Sequence, residues 1–106
     1  MSSGLGELGR FAEPSLLILV SLGDGPKHGY AIMIDVERVS GSPLGPGTLY
    51  GALARLEARG LVEALPADAR RRPYRITGAG EAALRAHLEA LDGLVRTGLR
   101  RLERGA

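Results

Sequence analysis

Arg70-Arg71-Arg72 is the most chemically loaded stretch of this chain. Neighbouring guanidinium groups repel one another and do nothing for folding. They do suit a row of phosphates, because each presents a permanently charged fork of donors. A second candidate lies upstream, where Gly47, Thr48, Gly51 and Ala52 share a predicted helix with Tyr50 and Arg55. A helix that reads base edges needs small or hydrogen-bonding residues at its N-terminal end, so that its backbone can come close. Tyr50 adds a hydroxyl that can reach a phosphate. Arg55, about two turns along, suits a phosphate or a guanine edge. The third candidate is Lys27 and His28, at the start of another predicted helix, where free N–H groups favour an anion.

Each candidate has a plainer reading. The small-faced helix could be an ordinary amphipathic helix, and the arginine run a solvated loop. The Lys27-His28 segment could be a simple helix start with Tyr30 in the core, which is where Tyr30 is expected. What raises the arginine run above a charged loop is its position, at wing distance after the small-faced helix. Catalytic readings fail in turn. Gly45-Pro46-Gly47-Thr48 lacks the spacing and the lysine of a phosphate loop. The histidines, His28 and His87, are far apart and there is no Cys, so no metal site is expected. The serines have no triad-like context, and no carboxylate pair has a plausible pocket. The chain is read as a non-enzyme without a cofactor.

The elements that must position these residues follow from punctuation and periodicity. Pro14 suits the first turn of a helix that runs to about Leu22 and is apolar enough, through Leu16-Leu17-Ile18-Leu19-Val20, to sit centrally. Gly23-Asp24-Gly25-Pro26 breaks it. A second helix is predicted from about His28 to Ser40, with Ile32, Val36 and Val39 as its inner stripe. The third is predicted from Pro46 to Arg59, with Leu49, Leu53 and Leu56 inward, Thr48, Gly51, Ala52 and Arg55 outward, and Gly60 as its stop. Leu61 to Leu65 and Tyr74 to Thr77 read as two strands around a basic, Pro-bounded connector. Thr77 caps a last helix to about Arg104. Its apolar seam, Leu84, Leu88, Leu91, Val95 and Leu102 with Leu99 beside Gly98, has no partner within the chain.

Composition agrees with a single small domain. The chain has 106 residues, enough for one core, with 44% hydrophobic and 25% charged residues. Net charge is only +2, but residues 66–76 hold four arginines against Asp68, which points to a basic patch on a nearly neutral protein. No apolar run is long enough for a membrane helix, the longest being Leu16 to Val20, and the N-terminus carries no signal-type core. A cytoplasmic location is expected. The fold class read from this order is mostly α (α+β): a winged helix-turn-helix with a two-stranded wing and a long C-terminal dimerisation helix. Residues 1–12 form an N-terminal arm, 13–77 the winged-helix domain and 78–106 the dimerisation helix.

Taken together, Leu16 to Leu22, His28-Gly29-Tyr30, Pro46-Gly47-Thr48-Leu49-Tyr50, Leu53, Arg55-Leu56-Glu57, Gly60-Leu61-Val62, Arg72-Pro73-Tyr74-Arg75-Ile76-Thr77 and Gly80 resemble the PadR family of bacterial transcriptional regulators. The likeness covers about Glu13 to Leu84. The short length resembles members with a single C-terminal helix. The resemblance implies a homodimeric winged-helix repressor that binds a palindromic operator in double-stranded DNA. It implies DNA contacts from Thr48, Tyr50 and Arg55 and a basic wing at Arg70, Arg71 and Arg72. Where the family often has Lys before the wing-end tyrosine, this chain has Pro73. The resemblance also implies release by a small-molecule effector, often aromatic or cationic. A flat-ring sandwich lacks its walls here, since there is no Trp and the last helix has no aromatic residue except His87. Two other readings stand beside the repressor: a winged-helix protein–protein adaptor, and a drug-binding sensor without operator binding.

Overall fold

A computed structural model describes residues 14–105. The N-terminal arm expected over 1–12 lies outside them. The described elements run in the order α1 (Pro14–Leu22), β1 (Lys27–His28), α2 (Gly29–Ser40), α3 (Pro46–Ala58), β2 (Val62–Ala64), β3 (Pro73–Ile76) and α4 (Gly78–Gly105).

The core forms where the three short helices meet. Ile18 and Leu22 of α1, Ile32 and Val36 of α2, and Leu49, Leu53 and Leu56 of α3 are buried together, closed below by Val62 of β2. Full burial of each such side chain stabilises by about 1.5–3 kcal/mol. Three expectations need correction here. Ala52, read as part of the outward face of α3, is fully buried. It lies three residues after Leu49 and four before Leu56, which puts it on the inner face. Tyr30 is 68% exposed, not in the core. At 3.6 residues per turn it points about 160° away from Ile32, two residues on. Val39, expected on the inner stripe, is 59% exposed, because the last turn of α2 runs past the apolar surface of its neighbours.

The sheet has three strands in the order β1-β3-β2, all antiparallel, where two were expected. The added strand is Lys27–His28, which pairs with Tyr74 and Pro73. His28 is the residue before α2 and has the extended backbone of a helix cap, at φ −72° and ψ 158°. That conformation suits it to cover the second edge of β3, which would otherwise stand open. Helix α2 accordingly starts at Gly29, one residue later than expected.

The turn from α3 into the wing is a glycine stop. Gly60 has φ +74°, a left-handed value that costs a side chain dearly. Its N–H donates to Glu57 O at 2.9 Å and the Leu61 N–H to Leu56 O at 2.9 Å, the paired bonds that end many helices. Thr77 then ties the far end of the wing to the same place. Its hydroxyl donates to Gly60 O at 2.6 Å and accepts from the Gly80 N–H at 3.0 Å, so it caps α4 as the sequence suggests. Gly80 lets α4 lie against the wing. A Cβ there would lie 2.7 Å from Ile76 Cγ1 and closer still to the Leu61 carbonyl oxygen.

Helix α4 has 28 residues and spans ~42 Å. Leu84 packs on the core of the same chain. Beyond it, Leu88, Leu91, Leu94, Val95, Leu99 and Leu102 are exposed. Among the described residues, no helix is long and apolar enough to cross a membrane.

Candidate nucleic-acid interface

The reading face of α3 is set by its buried face. With Leu49, Ala52, Leu53 and Leu56 turned inward, Pro46, Gly47, Thr48 and Arg55 are left exposed and Gly51 half-buried. Thr48, Gly51 and Arg55 follow at spacings of three and four, so they share one face. Arg55 folds back over Gly51, where a Cβ would lie 3.7 Å from its Nη1. The small face is therefore narrower than the sequence suggests, consisting of Gly47, Thr48 and Gly51 without Ala52.

Beside this face, three elements converge on a groove of about 320 Å³. It is lined by His28, Gly29 and Tyr30 from the β1–α2 junction, Tyr50 from α3, Arg70 to Arg72 from the wing connector, and Tyr74 from β3. The wing connector closes in a tight turn. Asp68 N donates to Arg71 O at 2.7 Å and Arg71 N to Asp68 O at 3.0 Å, with Ala69 at φ +59° between them. The turn holds the three arginines together at the tip. Among the described residues, none of the three forms an ion pair.

Electrostatics sorts the other basic groups. Arg75, part of the basic stretch in the sequence, faces Glu63 across the β2–β3 ladder and is neutralised there. The Lys27 ammonium is 2.5 Å from Asp24 and also donates to the Ser21 carbonyl. It is directed into its own chain rather than into the groove. Its hydrogen bond and charge hold the Asp24 carboxyl below the usual carboxylate range. The Asp35 carboxyl is likewise held down, by the Ser21 hydroxyl and then by Arg38 at 2.6 Å. The Ser21 hydroxyl is buried without a well-aligned hydrogen bond, so the Arg38 pair is the firmer contact. In the groove, burial raises the Tyr74 hydroxyl, with Tyr50 and Glu57 adding to it, so Tyr74 stays a protonated donor at neutral pH. His28 Nδ1 is buried without a hydrogen-bond partner among the described residues.

Of the residues singled out from sequence, the groove gathers His28, Tyr50, Arg70, Arg71 and Arg72. Thr48, Gly51 and Arg55 stand on the adjoining face of α3, and Lys27 on neither. Sequence reasoning missed Gly29, Tyr30 and Tyr74 as lining. For Tyr30 the helical angle from Ile32 was the available signal. For Tyr74 the strand alternation hid it, since that pattern marks only a half-buried residue.

Residues 18–86 match the sequence profile of the transcriptional regulator PadR-like family. The chain belongs to that family. Transcriptional regulator Rv3488 of Mycobacterium tuberculosis is 44% identical to this PadR-like chain over 84 residues, which are 76% of this chain and 78% of that protein. An uncharacterized 37.1 kDa protein in transposon TN4556 of Streptomyces fradiae is 49% identical over 85 residues, or 80% of this chain. The chain spans only 25% of that relative's length. A PadR family transcriptional regulator from Eggerthella lenta has a solved structure that superposes with a TM-score of 0.65 at 31% identity, covering 95% of this chain and 89% of that one. PadR-like proteins are transcriptional regulators and not enzymes, in line with the failed catalytic readings. The PadR-like motifs also acquire a geometry. The glycine of His28-Gly29-Tyr30 lies under the tyrosine of Pro46-Gly47-Thr48-Leu49-Tyr50, and Tyr74 and Thr77 anchor the wing beside them.

Proposed function

We propose that this PadR-like regulator is a sequence-specific DNA-binding repressor that works as a homodimer on a palindromic operator. The observation that carries this is the groove. Three arginines without ion-pair partners and two accessible tyrosine rings stand next to the exposed Thr48, Gly51 and Arg55. In this reading α3 enters the major groove, with Thr48 and Gly51 allowing close approach and Arg55 taking a phosphate or a guanine edge. Tyr50 and the arginines at 70 to 72 hold the flanking backbone, and His28 closes the floor of that contact. The bare seam of α4, from Leu88 to Leu102, pairs two copies and sets their reading helices about one helical turn (~34 Å) apart.

Release by a small-molecule effector belongs to the same proposal. A cleft of about 470 Å³ beside α4 is lined by Ile76, Leu84 and Leu88 with Glu81, Glu89 and Asp92 at its rim. An occupant there bears on the angle between the copies, so that one reading helix docks at a time.

Arg71→Ala combined with Arg72→Ala tests the wing. Binding to a duplex selected from a random pool and to a random duplex should weaken alike, and the slope of log affinity against log salt should fall by about 2. Unchanged affinity for both duplexes across salt concentrations would remove the wing from the interface. An adaptor, by contrast, would show no preference for any selected duplex.

A further inference from the structure

We propose that Gly29 is a positioning residue for DNA binding, acting through the hydroxyl of Tyr50. This rests on the phosphate role proposed above for Tyr50. Gly29 is the first residue of α2 and is buried. Its φ is not in the left-handed region, so its backbone would accept an alanine without strain. What excludes a side chain is the ring of Tyr50. A Cβ on Gly29 would lie 2.9 Å from Tyr50 Cζ and 3.2 Å from Cε1, with the hydroxyl nearer still.

The response to that clash is predictable, because the obstacle is the far end of a side chain. Tyr50 is 48% exposed, so its ring can swing outward without disturbing the core. Gly80 makes the contrast. There a Cβ meets the Leu61 carbonyl and the Ile76 side chain, which cannot leave. The missing Cβ of Gly80 serves the fold, whereas that of Gly29 serves the position of one phenol. That position is the floor of the cationic groove, between His28 and Tyr74 and facing the arginines of the wing tip. Among the described residues the Tyr50 hydroxyl makes no hydrogen bond, so packing on Gly29 is what places it. A hydroxyl bonds a phosphate oxygen over a narrow range near 2.7 Å (~2.5–3.0 Å), and a shift of about an ångström ends the contact.

The test is a double-mutant cycle with the full chain and a duplex selected from a random pool. Gly29→Ala and Tyr50→Phe should each weaken binding by about tenfold, the usual scale for one hydrogen bond to a charged group. The double variant should stay near tenfold, because both changes remove the same contact. The melting temperature of Gly29→Ala should stay within a few degrees of the parent. With fluorotyrosine incorporated, the Tyr50 resonance should shift in Gly29→Ala while that of Tyr74 holds. Losses that multiply to about a hundredfold in the double variant would overturn the proposal, since Gly29 would then act by another route. So would full affinity in Gly29→Ala, or an unmoved Tyr50 resonance. If Tyr50→Phe weakens binding and Gly29→Ala does not, the Tyr50 contact stands and only the role of Gly29 falls. If Tyr50→Phe binds as the parent does, the phosphate role of Tyr50 falls and this inference with it.

Discussion

Leu49, Leu53 and Leu56 on α3 repeat at the same four-then-three spacing as Leu84, Leu88 and Leu91 on α4. The α3 set is at most 3% exposed, whereas Leu88 and Leu91 are 42% and 37% exposed and Val95, one turn on, is 56%. The head closes its seam with α1, α2 and β2 from the same chain. Helix α4 closes only its first turns and leaves the rest bare. Periodicity shows which side of a helix is apolar, and it is silent on what covers that side. A covered seam stabilises the monomer, and an uncovered one is surface available to a second copy.

Equivalent damage to the two seams should therefore have unlike consequences. Leu53→Ala opens a cavity in the head and should lower unfolding stability by about 2–5 kcal/mol in a urea or thermal titration. A cost near zero would mean that the head is not the folding core. Leu91→Asp should instead spare the secondary structure seen by circular dichroism. It should yield single copies on sedimentation and lower operator affinity by about a hundredfold, as the two half-sites are no longer held together. An intact dimer in that variant would place the subunit contact elsewhere.

Smaller changes sharpen the same contrast. Gly80→Ala acts where α4 meets the head and should cost about 1–3 kcal/mol through overpacking against Leu61 and Ile76, without changing the number of copies. A melting curve identical to the parent would show that α4 rides loosely on the wing. The smallest effect should come from acid. Asp24 and Asp35 titrate lower in the folded chain than in the unfolded one. Their contribution is fully present above about pH 4 and is lost as pH falls through the lowered folded values. Asp35→Asn should flatten the acid limb of stability against pH, and an unchanged limb would discount the Ser21 and Arg38 contacts.

Much of the head was legible because its signals are local. Pro14 and Pro46 open helices, Gly60 and Gly41 close them, and Thr77 caps α4, each through backbone chemistry confined to a few residues. The errors fall where a distant partner decides. Lys27 and His28 read as a helix start, since nothing nearby shows that β3 has an open edge for them. Ala52 read as outward because alanine suits either face of a helix. Arg75 read as part of the basic patch, although its charge is matched by Glu63, twelve residues earlier and directly across the strand.

The candidate site divides in the same way. Residue type alone marked Arg70 to Arg72, Tyr50 and Thr48, since guanidinium forks, a phenol and a small polar face have few other uses at those positions. Gly29 carries no chemistry of its own and was found only once α2 and α3 were packed together.

From the amino-acid order alone came the succession of helices and strands, the basic run and the unpartnered seam, because turn chemistry and helical periodicity act between near neighbours. The tertiary structure decided which apolar faces are covered, which arginines remain unpaired and which glycine makes room for which ring. Those outcomes depend on contacts between residues far apart in the chain, and such contacts exist only once the chain has folded.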